Sequence, residues 1–159
     1  MPHVVGAPAF VETVGSVVVL AFFGDYQPTM LQAAQAALRD LPDTGQMAFM
    51  VYVGPAAKPP DTPGRKAYAA MLRDYAHRSF GTACLIPGTG FLAAMQRGVV
   101  TSLELLSNNQ MPLKVFKDID VGAEWLRARG LRTDNLERAR ARLDAAIADL
   151  QGVGRPNAS

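Results

Sequence analysis

Two unbroken apolar runs, Val17 to Phe23 and Met47 to Val53, constrain this chain most. A strand sends alternate side chains to opposite faces, so a continuously apolar strand needs cover on both. Between the two runs, Met30, Leu31, Ala34, Leu38 and Leu41 recur at helical spacing. Pro28 suits the first turn of that helix, where its missing N–H costs nothing. Strand, helix, strand in this order predicts parallel neighbours joined by a crossover helix.

The pattern extends in both directions. Phe10 to Val14 reads as a strand joined to Val17–Phe23 by Gly15-Ser16, a two-residue hairpin turn with glycine first. Gly24-Asp25 ends the second strand, and Pro42-Asp43-Thr44-Gly45 closes the first helix. After Val53 comes GPAAKPPDTPG, residues 54–64, with four prolines and two glycines in eleven residues. It reads as an extended loop, either a plain surface connection or a functional segment. A helix over Arg65 to Ser79 carries Tyr68, Met71, Leu72 and Tyr75 on one face. Phe80 to Ile86 is a strand, and Pro87-Gly88-Thr89-Gly90 turns into a helix over Phe91 to Leu106. Its expected core stripe is Phe91, Leu92, Met95, Val99, Leu103 and Leu106. Leu113 to Phe116 is a short strand. Asp118 or Asp120 caps a helix through Trp125 that stops at Gly130. Asp134 and Glu137 form a capping box for a last helix with Leu136, Leu143, Ile147 and Leu150 on one side. The tail, GVGRPNAS, reads as frayed.

The expected fold is therefore α/β: a five-stranded mixed, mainly parallel sheet, with an N-terminal hairpin, alternating helices and strands, and an extra C-terminal helix. Residues 1–132 form the α/β domain. Residues 133–159 form a helix and tail that dock on that domain or on a second protomer, as a homodimer would.

Composition agrees with a folded core. Apolar residues make up 49% of the 159 and charged residues 19%, the reverse of a disordered chain. A net charge of +2 supplies no basic face for nucleic acid. Cys84 is the only cysteine, which excludes an internal disulfide or a multi-cysteine metal site and suits a reducing compartment. MPHVVGAPAF lacks the basic start of a signal peptide, and no run reaches the ~20 residues of a membrane span. The expected setting is cytoplasmic.

No catalytic set is legible, and no cofactor or metal is expected. Gly88-Thr89-Gly90-Phe91-Leu92-Ala93 fits the G-x-G-x-x-A form of the dinucleotide fingerprint between a strand and a helix. Free N–H groups and the helix dipole there would attract an anion. Yet the motif follows the fourth strand, and no acidic residue ends a strand about twenty positions later. A glycine turn is the competing reading. His3 and His77 have no metal-ligand partner at i+4. Cys84 lies in an apolar strand, where a thiol behaves as a small hydrophobe. Asp25 stands at the carboxyl end of a strand, where α/β sheets place sites, or else caps the first helix. Arg127, Arg129, Arg132, Arg138, Arg140 and Arg142 are interleaved with acidic residues, a solvated pattern in which Glu137 can pair with Arg140.

An opening hairpin, Gly-Asp after the second strand, alternating elements and the segment PLKVFKDIDVGAEWLRARG (112–130) resemble the STAS (SpoIIAA-like) superfamily, founded on anti-sigma-factor antagonists. Phe116, Ala123, Trp125 and Leu126 match its last strand and closing helix. The resemblance covers residues 10–130; the final helix has no counterpart. It implies a non-enzymatic module that binds a protein partner or small ligand, sometimes switched by phosphorylation. The antagonists' Asp-Ser-Ser-Gly corresponds here to Asp61-Thr62-Pro63-Gly64. Thr62 would accept the phosphate, steadied by the helix start and Arg65, although Pro63 replaces the second serine. A small nucleotide-dependent enzyme built on Gly88-Thr89-Gly90 is the alternative.

Overall fold

A computed structural model of the chain describes residues 2–4, 9–24, 28–41, 45–106 and 112–153. The apolar runs form adjacent strands at the middle of the sheet. In chain order the strands are β1 (Pro2–Val4), β2 (Ala9–Val14), β3 (Val17–Phe22), β4 (Met47–Val53), β5 (Ser79–Leu85) and β6 (Leu113–Phe116). The helices are α1 (Pro28–Arg39), α2 (Thr62–Tyr75), α3 (Phe91–Leu106), α4 (Ile119–Ala128) and α5 (Thr133–Val153). The five expected strands are present in the expected order, and three-residue β1, which contains His3, adds an edge.

The sheet runs β1-β2-β3-β4-β5-β6, each strand beside its sequence neighbour. β1, β2 and β3 pair antiparallel, and β3 through β6 pair parallel. Gly15, at φ 58°, turns the chain so that Val14 pairs with Val17. Each crossover from β3 to β6 steps the same way, and right-handed crossovers then put α1, α2 and α3 on one face. α4 and α5 cover the other.

The side chains of the apolar runs divide accordingly. Val18, Leu20, Met47 and Phe49 pack with α1 and α2. Val17, Val19, Ala21, Ala48 and Met50 pack with Ala123 and Leu126 of α4 and Leu136, Ala139 and Leu143 of α5. The C-terminal helix therefore docks on its own domain. Its surface reinforces this: Arg142 Nε donates to Glu12 of β2 at 2.7 Å, and Arg140 pairs with Asp120 of α4. Arg140 also faces Asp144 at 3.9 Å, so its partners are not the expected Glu137. In the segment carrying the family resemblance, Ala123 and Leu126 are buried, and the Phe116 and Trp125 rings lie 5.6 Å apart.

Local starts and stops depart from expectation where prolines and caps compete. α2 begins at Thr62, inside the proline-rich segment, three residues before the expected start. Asp61 accepts the Gly64 N–H at 2.8 Å, and Pro63 occupies the first turn, where a helix tolerates it. The helix stops at Tyr75, and a 3-10 turn over Ala76–Arg78 brings the exposed His77 to β5. Asp118, the first of the two expected caps, accepts the Asp120 N–H at 2.7 Å. α5 starts at Thr133, so Asp134 lies inside the first turn instead of capping it. A backbone N–H from Asn135 and the nearby Arg132 hold the Asp134 carboxyl below its ordinary range. Asp25, the Pro42-Asp43-Thr44 turn and the end of the tail lie outside the described residues.

Candidate ligand pocket

The α1–α3 face of the sheet is incompletely filled. A cavity of about 100 Å³ lies between the sheet and the three helices, toward the carboxyl ends of the strands. Its floor is Phe22, Val51, Val53 and Cys84; Met30, Tyr68, Met71 and Val100 close its sides. Ala57, Lys58, Pro59 and Pro60 of the proline-rich loop form the roof. Carboxyl strand ends are where open α/β sheets place ligands.

One buried polar side chain holds that roof. Gln96 of α3 is only 4% exposed. Its Nε2 donates to the Gly54 carbonyl at 3.0 Å and to the Ala57 carbonyl at 2.8 Å. The loop adds its own turn, Ala57 N–H to Gly54 carbonyl at 3.0 Å, and the Gly54 N–H is bound by the Phe22 carbonyl at 2.8 Å. A proline-rich segment has few N–H groups to anchor itself, so a side chain reaching from the next helix supplies the missing donor.

Gln96 lies beside the stripe that α3's spacing suggested, and of that stripe Met95 turns outward while Leu92 and Val99 are half-buried. Met95 is 44% exposed, whereas Ala93, Gln96 and Val100 are buried. Val99 of the expected stripe does line the cavity. For Phe91, Leu103 and Leu106 the side chains lie outside the description. Gln96 faces inward, where its Nε2 meets the Gly54 and Ala57 carbonyls. A glutamine spaced three and four residues from Ala93 and Val100 was the available signal.

The cavity wall is almost wholly hydrocarbon. Its polar side chains are neutral apart from Lys58, which sits at the exposed rim. Tyr68 meets Phe22 edge to face, with ring centres 6.2 Å apart, and its hydroxyl is buried. Burial pushes the Cys84 thiol up to about 12, so it stays protonated at neutral pH. A thiolate nucleophile is not stabilised there.

Of the residues picked out from sequence, Thr62, Arg65, Gly88, Thr89 and Gly90 are absent from the cavity lining, and Asp25 lies outside the described residues. Thr62 is exposed at the start of α2, and its Oγ1 accepts from Arg65 Nη2 at 3.0 Å. Gly88, Thr89 and Gly90 turn β5 into α3, with Gly90 at φ 89°, a conformation that favours glycine. Thr89 and Gly90 are exposed. The Gly88 carbonyl accepts from Arg97 at 3.1 Å, and a β-carbon on Gly88 would lie 3.8 Å from Pro55. The two glycine-proline loops thus abut, but Thr62 and Arg65 form a separate pair. Among the described residues, no group of three His, Cys, Asp or Glu comes together, and no helix is long and apolar enough to cross a membrane. Comparison with protein-family models, curated proteins and solved structures returned no match.

Proposed function

We propose that this chain is a non-enzymatic binding and regulatory module, STAS-like in organisation, that holds a small apolar ligand under its proline-rich loop. The observation that carries this reading is the hydrocarbon-lined cavity roofed by a loop that one buried glutamine pins. Displacing an apolar group from water into such a cavity is favourable without further chemistry. The protonated Cys84 supplies no nucleophile, and the apolar wall suits hydrocarbon better than the phosphates of a nucleotide.

The regulatory part of the reading rests on Thr62. Its exposed hydroxyl, at a helix start beside Arg65, is placed so that a phosphate would meet a cation and a helix dipole. Asp61 already occupies the Gly64 N–H, so phosphorylation would disturb the cap at the end of the roof. Change at Thr62 would then be felt in the loop and by a protein partner on that surface. The cytoplasmic setting belongs to the same reading.

The test is nuclear magnetic resonance with a small hydrocarbon such as toluene or hexanol. Saturable shifts should cluster at Val51, Val53, Cys84 and Val100, and the ligand should be recovered unchanged. Shifts confined to the outer surface, or chemical conversion of the ligand, would end the proposal.

A further inference from the structure

We infer that the pocket takes a short, unbranched aliphatic alcohol, its chain against the hydrocarbon wall and its hydroxyl donating to Gln96 Oε1. The inference rests on the apolar-pocket reading above and adds the class of molecule. Gln96 lines the cavity and is 4% exposed. Both of its hydrogen bonds leave from Nε2, to the Gly54 and Ala57 carbonyls at 3.0 and 2.8 Å. A primary amide has two N–H donors and one acceptor oxygen. Both donors are thus committed to the roof, and the amide cannot turn over without breaking both bonds. Among the described residues none donates to Oε1, and protein atoms do not fully enclose it. On a side chain so deeply buried, the space left open to Oε1 is the cavity that Gln96 lines.

Gln96 therefore offers a ligand an acceptor and no donor. A hydroxyl supplies the missing proton. An ether or ketone brings a second acceptor, and neither oxygen is then satisfied, which is costly away from water. An ionised head gains no counter-ion from a neutral amide and would lose its hydration. Size decides the rest of the molecule. A cavity of about 100 Å³ is smaller than the ~150 Å³ engineered cavity that holds benzene. A narrow, short chain fits that space better than a ring.

The assay is nuclear magnetic resonance titration of the full chain with butan-1-ol and with methyl propyl ether, its unbranched isomer without an O–H. The alcohol should bind about fivefold tighter, the scale of one neutral hydrogen bond. At saturation the Gln96 side-chain Cδ signal should move downfield with the alcohol and stay in place with the ether. Gln96→Leu should abolish the preference. A ratio between two isomers is insensitive to a general loosening of the roof. The Cδ signal is read on the unaltered protein, so it tests the inference even where the variant fails to fold. Equal binding of the isomers, a tighter ether, a preference that survives Gln96→Leu, or an unmoved Cδ signal with alcohol bound would overturn the alcohol inference and leave the apolar pocket standing. Failure of both molecules to bind would overturn the pocket reading with it.

Discussion

Replacing Gln96 by leucine should loosen the roof of the pocket more than it damages the core. The side chain is 4% exposed and donates to two loop carbonyls at 3.0 and 2.8 Å. Losing the Gly54 bond removes about 1 kcal/mol, a typical net value. That carbonyl keeps the Ala57 N–H at 3.0 Å, so it is not orphaned. The Ala57 carbonyl loses the Gln96 donor, at a cost of about 1–3 kcal/mol if it remains buried. Leucine's own burial returns part of this, which leaves a net loss of about 2 kcal/mol. In urea, that lowers the midpoint by about 1 M, with the slope unchanged. Local opening provides the sharper readout. If the loss falls on the loop, exchange of the Ala57 amide should quicken about thirtyfold, since 1.4 kcal/mol is a factor of ten. Core amides in β4, such as that of Met50, should shift only with global stability. An unchanged midpoint together with unchanged Ala57 protection would refute the claim that Gln96 holds the roof.

Other perturbations test separate parts of the structure. Leu143 is 0% exposed beneath α5, so Leu143→Ala should cost about 2–5 kcal/mol by denaturant titration. A helix packed against a second copy instead of its own sheet would give a loss that depends on protein concentration. Asp61→Ala removes the α2 cap seen at 2.8 Å and should cost about 1 kcal/mol, read as a lower melting temperature. Cys84 should resist thiol reagents at pH 8 until the protein unfolds. Its folded pKa, about 12, lies above the ordinary 9.0, so the folded chain keeps a proton that the unfolded chain releases. The resulting stability is present in full below about pH 9 and is lost as pH rises toward 12; alkaline unfolding curves of Cys84→Ala should lack that part of the decline.

Much of the architecture was legible because it follows from local rules. Val17–Phe22 and Met47–Val53 had to be covered on both faces, and the helical stretch between them supplied cover for one. Gly15-Ser16 specified the hairpin, and the sequential order of the parallel strands follows from short right-handed crossovers. The start of α2 was misplaced because prolines read as loop, whereas Pro63 next to an Asp61 cap is compatible with a helix start. β1 escaped notice because a three-residue edge strand has no periodicity to detect.

By itself, then, the amino-acid order determined that two-sided apolar strands alternate with amphipathic helices. Those signals are periodic and need only neighbours along the chain. Tertiary structure decided which stripe of α3 turns inward, that α5 covers its own sheet, and that a cavity opens beneath residues 57–60. The physical reason lies in distance along the chain: the Gly54 and Ala57 carbonyls that orient Gln96 stand about forty residues away, and the void exists only where side chains from three helices and four strands fail to fill the same space.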